Sequence, residues 1–341
     1  MTPREYDESD ARVRPSRSTR PRTKDRPTHA HATSALVTTV DRGRQTCITD
    51  DGLVLTAMRA RELGPKSVVV VGDRVSIVGD VSGDEGSLAR IVSVAERRNS
   101  LSRTVDDSAQ VERTIVANID QLVIVVAAFN PEPRRGLIDR FLVSAFTEGI
   151  TPKLVITKTD LGVVPDFLAE YEKLDVEILH TAIKSESRQN DLNALHAMLS
   201  GKISVLVGHS GVGKSTLINA LVPAADRLTG DVNVATGRGR HTSSSAIALP
   251  LDTSDGWIID TPGIRAFGLS HIDVNRIVDA FTDLSLVAAT CLSNCSHAES
   301  SCKLDEWASP NGVANPARLA RLSSLRSLLS VKEQPVPTSE D

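Results

Sequence analysis

Residues 203–216 read Ile-Ser-Val-Leu-Val-Gly-His-Ser-Gly-Val-Gly-Lys-Ser-Thr, and Leu217–Leu221 continues in a helical pattern. A short apolar run of strand length enters Gly208-His209-Ser210-Gly211-Val212-Gly213-Lys214-Ser215-Thr216, and a helix leaves it. This is the phosphate-binding loop in the strand–loop–helix setting it requires. Glycines let successive backbone N–H groups curl around phosphate oxygens, and the helix N-terminus adds a favourable dipole. Lys214 is expected to reach the β- and γ-phosphates, and the Ser215 hydroxyl to ligate Mg²⁺. One nucleotide-binding α/β sheet is therefore predicted.

Further downstream, the strand pattern Trp257–Ile259 ends in Asp260-Thr261-Pro262-Gly263. A carboxylate at a strand end beside a phosphate loop is placed to hold Mg²⁺, and the Gly263 N–H to sense the γ-phosphate. Upstream, Lys153–Thr157 is a strand pattern ending in Thr157-Lys158-Thr159-Asp160. The guanine-reading loop of GTP-binding proteins is Asn-Lys-x-Asp, whose Asp accepts both N1–H and the exocyclic N2–H of guanine; adenine offers no such donor pair. Here Lys158 and Asp160 are present and Thr157 stands where Asn is usual. Thr181-Ala182, after the strand Val176–Leu179, occupies the place of the backbone N–H that meets guanine O6. The order is diagnostic. The base loop precedes the phosphate loop, which precedes Asp260–Gly263, so the predicted GTPase unit is circularly permuted. Two alternatives compete with it: an NTPase of relaxed base specificity, and an RNA-binding assembly scaffold that binds nucleotide but barely hydrolyses it.

Around this unit the 341 residues leave room for more than one domain. Residues 1–32 carry Arg12, Arg14, Arg17, Arg20, Arg22, Lys24 and Arg26 among Pro, Ser and Thr. They read as a disordered tail, either a basic arm for an anionic partner or a solvated extension. Over 33–103, short β-branched runs (Ala35–Val40, Leu53–Ala57, Ser67–Val71, Arg74–Val78, Ala89–Val94) between turn signals predict a small barrel of oligonucleotide-binding (OB) type. Residues 104–269 hold the α/β pattern, including a helix from about Gly136 to Glu148. Residues 270–333 lack strands and end in a helical stretch, and 334–341 form a second tail. Arg318, Arg321 and Arg326 on that last helix offer RNA contacts or a solvated face. Cys291-x₃-Cys295-x-His297-x₄-Cys302 supplies three thiolates and an imidazole, a donor set for one tetrahedral structural Zn²⁺.

Composition is that of an ordinary globular chain, 40% hydrophobic and 24% charged, and suggests neither a fibrous nor a wholly disordered protein. Aromatics make up only 3%, which argues against base stacking as the means of any nucleic-acid contact. The apolar run Leu122–Phe129 is far short of the ~20 residues that cross a bilayer, and the N-terminus lacks a secretory pattern. No membrane association and a cytoplasmic location are expected.

The sequence resembles the RsgA family of GTPases that depend on the small ribosomal subunit, over about residues 35–310. The resemblance is carried by Val71-Gly72-Asp73-Arg74-Val75, Ala117-Asn118-Ile119-Asp120-Gln121, the permuted motifs, Gly239-Arg240-His241-Thr242 and the Cys/His cluster, whose spacing is slightly shorter than the family's. It implies an OB barrel, a permuted GTPase and a zinc-bearing C-terminal unit, acting as a monomer on the 30S subunit and its 16S rRNA in late maturation. The position of the water-orienting Gln of Ras-like enzymes holds Ile264, which cannot hydrogen-bond water. The resemblance points instead to His241, with Thr242 as Mg²⁺ ligand and γ-phosphate sensor. GTP hydrolysis that is slow alone and raised by the 30S subunit is expected.

Overall fold

The computed structural model describes residues 31–41, 43–64, 67–106, 109–223, 246–251, 255–261, 274–279, 281–298 and 302–330. Residues 1–30 and 334–341 of the two tails, the segment bearing His241 and Thr242, and Gly263 with Ile264 lie outside the described residues.

Five strands, β1 (Thr33–Asp41), β2 (Arg44–Thr49), β3 (Val54–Arg59), β4 (Arg74–Gly79) and β5 (Ala89–Val94), close on themselves in the order β1-β2-β3-β5-β4, with β4 returning to β1. β3 and β5 run parallel and the other barrel pairs antiparallel. Inward residues alternate along each strand and fill the barrel with Ala35, Val37, Cys47, Leu55, Ala57, Val75, Ile77, Ala89 and Ile91. This is the expected five-stranded barrel, with one correction in its membership. Arg44–Thr49 is a strand that was not predicted, whereas Ser67–Val71 makes only a single bridge, Val71 to Val116. The cause is side-chain capture of the backbone groups a ladder needs. Asp73, fully buried, accepts the Val70 N–H at 2.8 Å, and Arg97 donates to the Val68 carbonyl at 2.6 Å while gripping both Asp73 oxygens at 2.7 and 2.9 Å.

A two-stranded ribbon, β6 (Ser100–Asp106) and β7 (Ala109–Ala117), follows the barrel and spans the boundary expected at 103/104. The chain then enters β8 (Gln121–Ala127), β9 (Thr151–Thr157), β10 (Glu177–His180), β11 (Ile203–Val207), β12 (Ile247–Pro250) and β13 (Trp257–Asp260). Their order is β10-β9-β8-β11-β13-β12, parallel throughout except for β12. β12 also pairs with β1, so barrel and nucleotide sheet are continuous.

The apolar runs read as strands are buried on both faces. In β8, Leu122, Ile124 and Val126 face one core and Val123, Val125 and Ala127 the other. Helices α1 (Arg135–Thr147), α2 (Arg188–Leu199) and α3 (Lys214–Leu221) cover the sheet, α1 on one face and the other two on the opposite face. A 3₁₀ stretch, Asp166–Leu174, lies on the side of α1.

Helices α4 (Val274–Asp279), α5 (Thr282–Ala288), α6 (Lys303–Ala308) and α7 (Pro316–Leu329) form the C-terminal unit. Their apolar residues Ile277, Phe281, Leu284, Leu304, Leu322 and Leu325 join the same core as α1. The rings of Phe146 and Phe281 meet edge-on at 5.0 Å, and Arg321 of α7 bonds Asp175 and Asp283 at 2.6 and 2.7 Å. Covered by the sheet and by these helices, α1 is buried continuously from Ile138 to Phe146, Asp139 and Arg140 included.

The two short motifs that carried the family resemblance form the seam between barrel and sheet. Gly72 has φ +88, and a Cβ there would lie 2.1 Å from the Ala117 carbonyl oxygen, so only glycine allows this approach. The Ala117 N–H donates to Val71 O at 3.0 Å, Asn118 Nδ2 to Gly72 O at 2.9 Å, and the Ile203 N–H to Asp120 Oδ2 at 2.8 Å. Gln121 Nε2 bonds the Ser204 hydroxyl at 2.9 Å, which fixes β8 against β11.

Candidate nucleotide and metal sites

Parallel strands end together, and loops at their carboxyl ends form the site. Gly208 leaves β11 with φ +145, and a Cβ there would lie 2.2 Å from Val125 O, so the loop can press against β8 only with glycine at its first position. Gly213, with φ +102, turns the chain into α3 and leaves the N–H groups at the start of α3 directed at the loop. Lys214 folds back across the loop, Nζ donating to Gly208 O at 2.6 Å and His209 O at 3.0 Å. His209 Nδ1 lies 2.8 Å from Ser210 O, and the two side chains are exposed at the loop's outer rim. Ser215 and Thr216 are exposed on the first turn of α3.

Asp260 ends β13 directly across from Leu206. Burial pushes its carboxyl above the usual carboxylate range, and the Lys214 ammonium offsets this only in part. Burial likewise lowers Lys214, with Asp260 opposing. Each charged form is thus less favoured than in water. A phosphate beside Lys214 and a divalent cation beside Asp260 would restore both.

The base loop meets the phosphate loop across a cavity of about 280 Å³. Its walls are Thr157, Lys158, Asp160 and Leu161 from the end of β9, Gly211, Gly213, Thr216 and Leu217 from the phosphate loop and α3, and Ile183 and Lys184 from the loop after β10. Asp160 and the phosphate loop therefore share one site, as the permuted order requires. Thr157 is buried, and its hydroxyl donates to the Val212 carbonyl, with Val126 O a second acceptor at 3.2 Å. The tie between the loops that an Asn amide usually makes is here made by a hydroxyl. Lys158, at φ +58, reaches the Asn130 carbonyl with Nζ, and Thr159 Oγ1 bonds Thr181 O at 3.2 Å.

Thr181 and Ala182 are both buried, and neither lines the cavity. The Thr181 N–H donates to Ile156 O at 2.8 Å and the Ala182 N–H to Asp191 Oδ2 at 2.6 Å. Leu161, Ile183, Lys184 and Asp191 were not among the predicted site residues. The first three adjoin motifs that were read, and extending those motifs by one or two residues would have found them. Nothing in the sequence marks Asp191, whose placement depends on the fold of 181–191.

Between α5 and α6, the donor atoms of Cys291, Cys295, His297 and Cys302 all lie within 4.8 Å of one another, the one such group among the described residues. The Cys302 sulfur is 3.5 Å from Cys291, 3.7 Å from Cys295 and 3.5 Å from His297 Nδ1. With Zn–S bonds of about 2.3 Å, a tetrahedron has S···S edges of about 3.8 Å, so the four donors fit one zinc ion. Arg326 of α7 braces the cluster, Nε donating to His297 O at 3.0 Å and the guanidinium forking onto Asp305 at 2.8 and 2.7 Å. No helix among the described residues is long and apolar enough to cross a membrane.

Comparison with known proteins agrees with this geometry. The family model for the RsgA GTPase matches residues 94–270. The small ribosomal subunit biogenesis GTPase RsgA of Gemmatimonas aurantiaca is 35% identical over 267 residues, covering 76% of this chain and 84% of that protein. Its namesake from Nitrosospira multiformis is 39% identical over 249 residues, covering 71% and 74%. The crystal structure of YjeQ from Thermotoga maritima superposes with a TM-score of 0.62 at 26% identity, over 89% of this chain and 99% of that one. YloQ, described as a circularly permuted GTPase, shares the fold at a TM-score of 0.61 and 22% identity, over 91% and 99%. With the Thr157–Asp160 loop and the glycine-rich loop facing one cavity, a five-stranded barrel ahead of them and relatives of this extent, the chain belongs to the RsgA GTPase family.

Proposed function

We propose that the chain hydrolyses GTP in the service of small-ribosomal-subunit biogenesis, the role named for its relatives. The observation that carries this is the shared cavity, with the Asp160 carboxylate on one wall and Gly211, Gly213 and Thr216 on the other. Asp160 accepts from the guanine N1–H and N2–H, and the Lys158 stem covers the base. The phosphate-loop N–H groups and Lys214 hold the β- and γ-phosphates, Lys214 exchanging its loop carbonyls for phosphate oxygens. Ser215, Asp260 and Thr242 are the residues to hold Mg²⁺, which neutralises phosphate charge when bound.

His241 orients the attacking water in this reading, because Ile264 cannot, and Gly263 senses the γ-phosphate. Cys291, Cys295, His297 and Cys302 hold one Zn²⁺ with no open position, so the metal fixes the C-terminal unit and takes no part in chemistry. The partner is the 30S subunit through its 16S rRNA, bound by a monomer in the cytoplasm, with units at 33–103, 104–269 and 270–333 between tails 1–32 and 334–341.

GTP hydrolysis measured with and without purified 30S subunits tests this, alongside Asp160→Asn and His241→Ala. Slow turnover alone, a large increase with 30S, loss of GTP preference in the first variant and loss of stimulation in the second are expected. Equal rates with and without subunits would refute the proposal.

A further inference from the structure

Both backbone polar groups of the residue expected to meet guanine O6 are satisfied inside the chain. Its N–H, on Ala182, donates to Asp191 Oδ2 at 2.6 Å, and the Ala182 carbonyl accepts from the Ser185 N–H and hydroxyl, each at 2.8 Å. The Ser187 hydroxyl holds the same Asp191 oxygen at 2.9 Å, so the carboxylate is fixed where it caps Ala182. A hydrogen bond to a carboxylate is about twice as strong as one to a neutral carbonyl. Guanine O6 is a neutral acceptor competing for one proton already given to an anion. Nor can it share the N–H without bringing its lone pairs against the carboxylate oxygen.

Resting on the GTPase reading above, we propose that Asp191 is a specificity-determining residue: it withholds the Ala182 N–H from the base. Selection of guanine then depends on Asp160 reading N1–H and N2–H, and O6 contributes little. This chain accordingly tolerates changes at the base's 6-position that a GTPase with a free N–H rejects.

6-Thio-GDP isolates the point, because it keeps both donors read by Asp160 and replaces O6 with a weaker sulfur acceptor. Affinities of GDP and 6-thio-GDP for the full chain with Mg²⁺, measured by equilibrium titration, should differ by less than about 3-fold in the wild type. Asp191→Ala frees the N–H, and GDP should tighten so that the ratio rises to about 10-fold. Asp191→Asn, a neutral acceptor in the same place, should fall between them. A wild type that already discriminates tenfold overturns the proposal, as does a folded Asp191→Ala protein with an unchanged ratio. Should the alanine variant fail to fold, the asparagine variant decides, because its ratio must exceed that of the wild type. Wild-type protein that binds neither nucleotide would overturn the GTPase reading itself, and this inference with it.

Discussion

Thr157→Val removes one hydroxyl and leaves the shape of the side chain almost unchanged. That hydroxyl ties the end of β9 directly to the phosphate loop, donating to the Val212 carbonyl in a region where both residues are buried. Valine leaves the carbonyl of this buried residue without that donor, at a cost of roughly 1–3 kcal/mol. For a domain of this size, about 2–4 °C of melting temperature is lost per kcal/mol, so a fall of about 2–12 °C is expected in scanning calorimetry of the nucleotide-free protein. Thr157→Ser retains the hydroxyl and should stay near the wild type. A valine variant that melts within a degree of the wild type would refute the bridging role.

Asp139 lies buried on α1, with the Tyr171 hydroxyl donating to it at 2.7 Å. Burial raises its carboxyl above the ordinary value, and the tyrosine bond only partly offsets this. The native state therefore keeps the proton to higher pH than the unfolded chain, and stability declines as pH climbs through the ordinary carboxylate range to the raised native value. Asp139→Asn should match the wild type in urea midpoint at acid pH and exceed it at pH 7; a lower midpoint at pH 7 would mean that the anion itself is needed. At the metal cluster, Arg326→Met removes the bracing of the His297 carbonyl and of Asp305, and zinc affinity measured by chelator competition should drop about 10- to 100-fold. Arg321→Met on the same helix, which touches Asp175 and Asp283 instead, should leave that affinity unchanged.

Legibility in the sequence followed how completely an element is buried. β8 and β11 stood out because both faces are covered, which forces a continuous apolar run. β2, Arg-Gln-Thr-Cys-Ile-Thr, does not read as a strand because its buried face carries Gln45 and Thr49 beside Cys47, so no apolar alternation marks it. Ser67–Val71 erred in the other direction. It has the composition of a strand, but its backbone is claimed by Asp73 and Arg97, partners that no local pattern announces. The phosphate loop, Asp160 and the Cys/His cluster were legible because each chemistry admits few residue types at fixed spacing. Asp191 was not, because an acidic residue at the start of a helix is ordinary, and only folding turns it toward Ala182.

The β1–β12 pairing carries a consequence for how the molecule is made. During synthesis the barrel strands all emerge before β8 and can close without help, because every barrel pair is local to residues 33–94. The nucleotide sheet has to wait: Gln121 meets Ser204, 83 residues onward, and β1 keeps an edge open until Ile247 reaches Thr39. A finished barrel thus offers the template on which β12 docks, and ribosomes stalled before residue 247 should display a protease-resistant barrel attached to a GTPase half that lacks β12 and β13.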